Sequence, residues 1–85
     1  MGFHEILSVT PLPNYMLQLQ FDTGESKIFD AKPYIRGTWY IELQDLTYFN
    51  RVKPSGISVE WPHGQDIDPC ELYGNSYHEH PNATT

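Results

Sequence analysis

The densest run of residues able to do chemistry lies near the C-terminal end: His63, Asp66, Asp68 and Cys70. Imidazole, carboxylate and thiolate are all transition-metal ligands. Their spacing follows neither CxxC nor HExxH, and each has a simpler use. Asp68-Pro69-Cys70-Glu71 reads as a helix start, with an acidic N-cap, Pro at N1 and Glu at N3. His63 falls in Pro62-His63-Gly64, a hairpin tip, where polar residues are expected. His78 and His80 form an HxH pair in a polar stretch, able to hold a metal only weakly. Nucleophilic catalysis has less support. Cys70 has no base beside it, and Ser55 and Ser58 lack an elbow motif. The acids are scattered over turns and caps, and the glycines mark turns with no phosphate-binding pattern. The expectation is therefore no enzyme, no metal and no cofactor.

These side chains need elements to carry them. His4 to Thr10 is apolar and β-branched enough for a first strand, with Pro11, Pro13 and Asn14 breaking it into a turn. Tyr15, Leu17, Leu19 and Phe21 alternate with Met16, Gln18 and Gln20, which predicts a strand with one buried face. Asp22-Thr23-Gly24 is a hairpin loop with Gly where positive φ is required, and Glu25 to Phe29 returns. Asp30 caps a short helix through Pro33, Tyr34 and Ile35, ending at Gly37. Thr38 to Leu43 is ambiguous. Asp45 caps a second helix, with Leu46, Phe49 and Val52 on one face and Pro54 and Gly56 as its end. Ile57, Val59 and Trp61 alternate with Ser58 and Glu60 as another half-buried strand, sharing the core face of Leu17, Leu19 and Phe21. After Pro62-His63-Gly64, Gln65 to Ile67 returns, and the helix capped by Asp68 ends near Gly74.

Phe21-Asp-Thr-Gly-Glu25 and Trp61-Pro-His-Gly-Gln65 share an aromatic residue, a Gly loop and a polar restart. The pattern as a whole predicts an α+β fold. A small antiparallel sheet of four or five strands packs two or three short helices on one face. Residues 1–75 form the single domain, and 76–85 a flexible polar tail.

The 85 residues suffice for one core, and 14% aromatic with 19% charged residues is a globular composition. The net charge of −6 is unevenly placed. Residues 1–53 carry six acids and all five bases, whereas residues 54–85 carry five acids and no Lys or Arg. An acidic half repels phosphate backbones, so the chain is not expected to bind nucleic acid by itself. It steers basic protein surfaces instead. No apolar run approaches the roughly 20 residues of a membrane helix, and the N-terminus lacks a secretory signal pattern. The Asn82-Ala83-Thr84 glycosylation pattern is then chance. A lone cysteine forms no internal disulfide and suits a reducing cytoplasm. So small a domain cannot hide all its aromatics. Trp39 and Tyr40, after the Arg36-Gly37 turn, are the candidate interface anchors, with Glu60, Asp66 and Glu71 as the charges beside them.

The order of motifs resembles a bacterial family known as domain of unknown function 2442. The resemblance rests on Pro13-Asn14-Tyr15, Leu17 and Leu19, then Phe21-Asp-x-Gly-Glu25 and Phe29-Asp30. It continues through Arg36-Gly37, Leu43-x-Asp45, Phe49 and Val52 to Trp61-Pro-x-Gly64-x-Asp66 and Leu72-Tyr73. His63 stands where the family usually has Asn, which suits a turn tip. The resemblance implies a cytoplasmic α+β domain without assigned catalysis, similar in its genetic setting to one half of a toxin–antitoxin pair.

The leading expectation is a non-enzymatic, antitoxin-like or regulatory interaction module with a small basic protein as partner. Homo-oligomerisation is compatible with it, and a membrane is not its target. The alternative is a ligand- or metal-sensing accessory domain built on the loop from His63 to Asp68. An enzyme ranks third.

Overall fold

The computed structural model describes residues 4–78. Its frame is the alternating segment. Strand β2 (Met16–Phe21) buries Leu17, Leu19 and Phe21 and leaves Met16, Gln18 and Gln20 half-buried on the opposite face. It is flanked by β1 (Ile6–Leu12) and β3 (Ser26–Asp30), both antiparallel, with Val9 opposite Leu19 and Phe29 opposite Leu17. Gly24 takes φ +92° in the β2–β3 turn, as the loop chemistry requires. Of the short helices α1 (Gly37–Tyr40), α2 (Leu46–Phe49) and α3 (Pro69–Gly74), α2 gives Tyr48 and Phe49 to the core and α3 gives Leu72, while α1 buries no residue fully.

The segment after Gly56 pairs backward instead of forward: β4 (Lys53–Ser55) and β5 (Ser58–Glu60) form their own two-stranded sheet, and the return strand expected at Gln65 to Ile67 is reduced to a single Glu60–Asp66 bridge. Ile6 N donates to the Gly56 carbonyl at 2.8 Å and joins the two sheets. Strand β6 (Tyr77–His78) completes a four-stranded sheet in the order β1-β2-β3-β6. The fold is a small antiparallel α+β arrangement with three short helices. No helix among the described residues is long and apolar enough to cross a membrane.

Several elements depart from the sequence reading for identifiable reasons. Pro11 does not end β1 but pairs with Leu17 inside it, which an edge strand tolerates because its outer N–H needs no partner. The turn follows at Pro13–Tyr15, where Asn14 and Tyr15 both adopt positive φ. Asp30 caps no helix: it accepts from Lys32 N at 2.9 Å ahead of a 3-10 turn, Lys32–Tyr34, whose cap position is Ala31. Gly37 opens α1 at φ +76° instead of closing a helix, and Thr38 to Leu43 is helical throughout. Leu46 is exposed because α2 is a single turn that directs Tyr48 and Phe49 inward. Ile57, expected in the core, is 39% exposed. The two-residue Gly56-Ile57 turn places it outside, and Ser58 turns inward with its hydroxyl on the Ile67 carbonyl.

The expected tail begins at residue 76, yet Tyr77 and His78 pair with β3. Its remainder, residues 79–85, including His80 and Asn82, lies outside the described residues. Lys27, unremarked in the sequence, is only 6% exposed on the core face of β3. Its ammonium donates to the Tyr73 carbonyl at 3.0 Å and sits 3.8 Å from that ring's centroid.

Two outcomes follow from this packing. Leu19→Ala removes a wholly buried side chain from the central strand, and chemical denaturation should show a loss of ~2–5 kcal/mol. An unchanged midpoint would mean that the strand faces are reversed. Asp68 accepts from Cys70 N at 2.8 Å and Glu71 N at 3.4 Å, with Pro69 at N1. Asp68→Ala should therefore cost ~0.5–2 kcal/mol, and Asp68→Asn much less. Equal losses in the two variants would contradict the capping role.

Candidate functional site

The loop over residues 61–65 and its counterpart over 21–25 are built alike. Trp61 N donates to the Gln65 carbonyl at 2.9 Å and Gly64 N to the Trp61 carbonyl at 2.8 Å. Phe21 N donates to the Glu25 carbonyl at 2.9 Å and Gly24 N to the Phe21 carbonyl at 3.0 Å. In each loop the residue after Gly receives a tyrosine hydroxyl from a helix. Tyr48 of α2 donates to Gln65 Oε1 at 2.6 Å, and Tyr73 of α3 donates to Glu25 at 2.7 Å. The sequence echo thus corresponds to a repeated hydrogen-bond geometry.

Gln65 is fully buried. Its Nε2 donates to the Trp39 carbonyl at 3.0 Å and to Glu42 Oε1 at 2.9 Å. His63 Nδ1 lies 2.8 Å from Glu42 Oε2. An ionised carboxylate only accepts, so the imidazole proton in this bond sits on Nδ1. Hydrogen bonds from His63 and then Gln65 hold the Glu42 carboxyl below its ordinary range. This network fastens α1 from its inner side through the Trp39 carbonyl and leaves the Trp39 side chain outward.

Large apolar side chains of this segment are left in solvent. Trp39 is 54% and Ile41 47% exposed, with Leu46 exposed a few residues beyond. The Trp39 ring leans toward the loop tip, where a Cβ added at Gly64 would lie 3.8 Å from Cζ2. Tyr40 points the other way. It packs on the core, and its hydroxyl donates to the Asp66 carbonyl at 2.9 Å. Burial, and then the Asp66 charge, raise its pKa. Of the two aromatic candidates, Trp39 is exposed and Tyr40 half-buried.

The candidate acids divide. Glu60 and Asp66 face each other across an isolated antiparallel bridge, close to Tyr40. Glu60 is half-buried and shares its charge with Lys53 Nζ at 3.7 Å, while Asp66 is exposed. Glu71 belongs to another neighbourhood, on α3 against Tyr34, whose pKa burial and a hydrogen bond to Glu71 raise. Within the His63–Asp68 loop, His63 is engaged by Glu42, and Asp68 by the α3 amides. Among the described residues no three His, Cys, Asp or Glu side chains gather to hold a metal ion. Gln65 and Glu42 organise the site, and neither stands out in the sequence. The only signal was the position Gln65 shares with Glu25 in the two loops.

Glu25 is the charged version of that position. Thr23 Oγ1 donates to it at 2.9 Å, and His78 Nε2 lies 2.6 Å from its other oxygen. Bonds from Tyr73, then His78 and Thr23, lower its pKa from 4.5 to about 2. The carboxylate ties the β2–β3 turn to both α3 and β6.

A family model described as "Protein of unknown function (DUF2442)" matches residues 6–78, so the chain belongs to that family. The match reaches through β6. No curated protein and no solved structure matches the chain.

Because folding depresses the Glu25 pKa, the ionised group stabilises the fold fully above about 4.5, and this contribution is lost as pH falls toward about 2. Wild type should melt above Glu25→Gln at pH 6, and the gap should narrow through that window and close at its acid end. A gap that persists at pH 2 would assign the difference to packing instead of charge.

Proposed function

We propose that this DUF2442 chain is a non-enzymatic interaction module of an antitoxin-like or regulatory kind, which binds a small basic protein in the bacterial cytoplasm. The observation that carries the proposal is the outward Trp39, held on a one-turn helix whose backbone is fixed from beneath by a buried amide. Exposed aromatics on a pre-ordered scaffold are the usual anchors of protein interfaces, since little side-chain entropy remains to be lost on binding. Ile41 extends the apolar contact, and Glu42, Glu60 and Asp66 supply negative charge around it. The basic character of the partner is supported by the −6 net charge and by the absence of Lys or Arg after Lys53.

The two contributions separate kinetically. Steering charges act on encounter and are screened by salt, whereas a desolvated anchor acts on residence time. With the partner that co-purifies from the native cell, Trp39→Ala should raise the dissociation rate roughly 10–100-fold and barely alter association. Glu60→Lys should slow association several-fold at low salt and lose that effect near ~0.5 M salt. Surface plasmon resonance on variants shown to be folded by circular dichroism reads both. Unchanged rates in both variants would overturn the proposal.

A further inference from the structure

A cavity of about 330 Å³ opens between the β2–β3 hairpin and α3, lined by His4, Phe21, Ile57, Pro69, Cys70 and Tyr73. Its wall is aromatic. The Tyr73 ring meets Phe21 edge-on at 5.1 Å, and the His4 ring lies 4.9 Å from Tyr73. Ile57, displaced from the core by its tight turn, forms part of the lining and is partly exposed. The volume is at the small end for ligand sites, suited to one large side chain more than to a cofactor.

The surroundings carry three carboxylates and, among these groups, no free ammonium or guanidinium. Asp22 lies 3.9 Å from the His4 imidazole, Glu25 accepts from the Tyr73 hydroxyl at 2.7 Å and lies 2.6 Å from His78 Nε2, and Asp68 immediately precedes Pro69. The ammonium closest to Tyr73, Lys27, is buried and already engaged by the Tyr73 carbonyl and ring. An apolar recess bordered by carboxylates complements an apolar side chain whose neighbours in sequence are cationic. We propose that this cavity seats a leucine-sized side chain carried on a Lys/Arg-flanked segment of the partner protein. The inference rests on the interaction reading above and adds a contact made by residues other than Trp39.

The test is an amide NMR titration of the full chain with two capped pentapeptides, one with leucine and one with serine between two Lys/Arg pairs. The leucine peptide should shift the amides of Phe21, Ile57, Cys70 and Tyr73. It should also bind about tenfold or more tightly than the serine peptide, as burial of one leucine side chain implies. Cys70 is exposed in the first turn of α3, so the cavity can be filled from its rim. Cys70→Phe should reduce leucine-peptide affinity to the serine level, and Cys70→Ser should leave it intact. Alkylation of Cys70 on the folded chain with N-ethylmaleimide provides the same block without a substitution.

Equal affinity for the two peptides, or leucine binding that survives both blocks, overturns the proposal. So does the absence of shifts with either peptide. If these outcomes coincide with faster partner dissociation in Trp39→Ala, the cavity assignment fails and the interaction reading stands. If Trp39→Ala and Glu60→Lys are also silent, both fail.

Discussion

A primary amide shut away from water must find its hydrogen bonds inside the protein, and the amide of Gln65 does so with three parts of the chain. It accepts from Tyr48 of α2 and donates to the Trp39 carbonyl of α1 and to the Glu42 carboxylate in the 3-10 turn between them. Leaving such a group unpaired costs on the order of 1–3 kcal/mol, a large fraction of what so small a domain has to spare. Helices α1 and α2, against the 61–65 loop, are one turn long and could not stand by their own propensity. They persist because this amide and the aromatic core hold them. The outward placement of Trp39 is therefore a by-product of an inward polar contact.

Local features of this fold were legible in the sequence, and non-local ones were not. The alternation of Leu17, Leu19 and Phe21, the Gly24 and Gly64 turns and the Asp68 cap each arise among residues a few positions apart. Periodicity or cap chemistry reveals them directly. Strand β4 was hidden by Pro54 and Gly56, which signal a break equally well for a helix end and a hairpin. Ile57 sits outside because it belongs to the Gly56-Ile57 turn and not to the strand, while Val59 and Trp61 keep the inward face that the alternation predicts. Lys27 and Gln65 are buried by partners 46 and 17 positions away, and no window of sequence contains those contacts. The candidate site was half legible for the same reason. The choice of Trp39 and Tyr40 rested on their being surplus aromatics, but only the helix, read as ambiguous, determines that Trp39 faces out and Tyr40 in.

The two Gly loops show one backbone solution used with different side-chain chemistry. Each presents a polar group to a helical tyrosine hydroxyl. At the first it is a carboxylate, strengthened by His78; at the second it is an amide that relays to a carboxylate paired with His63. The charged version stands at the surface, where ionisation is tolerated, and the neutral version in the core, where it would be costly. Burial, together with two donations from Nε2 that a carboxylate could not make, accounts for Gln at the second position, and exposure for Glu at the first.

The C-terminal strand has a consequence for the time course of folding. β1, β2 and β3 form a meander whose pairings involve nearby residues, so their loops close at small entropic cost. β6 reaches back to the same sheet from far along the chain, with Glu25 and His78 separated by 53 positions. Contacts of that span form slowly, after local ones have limited the search. The meander and its hairpin turn are thus available as a template before the last strand docks. β6, only two residues long and fastened by surface bonds to Glu25, is also the piece of the sheet that opens most readily. Order in this domain is graded along the sheet, firm at the centre and renewable at the edge where the chain arrives last.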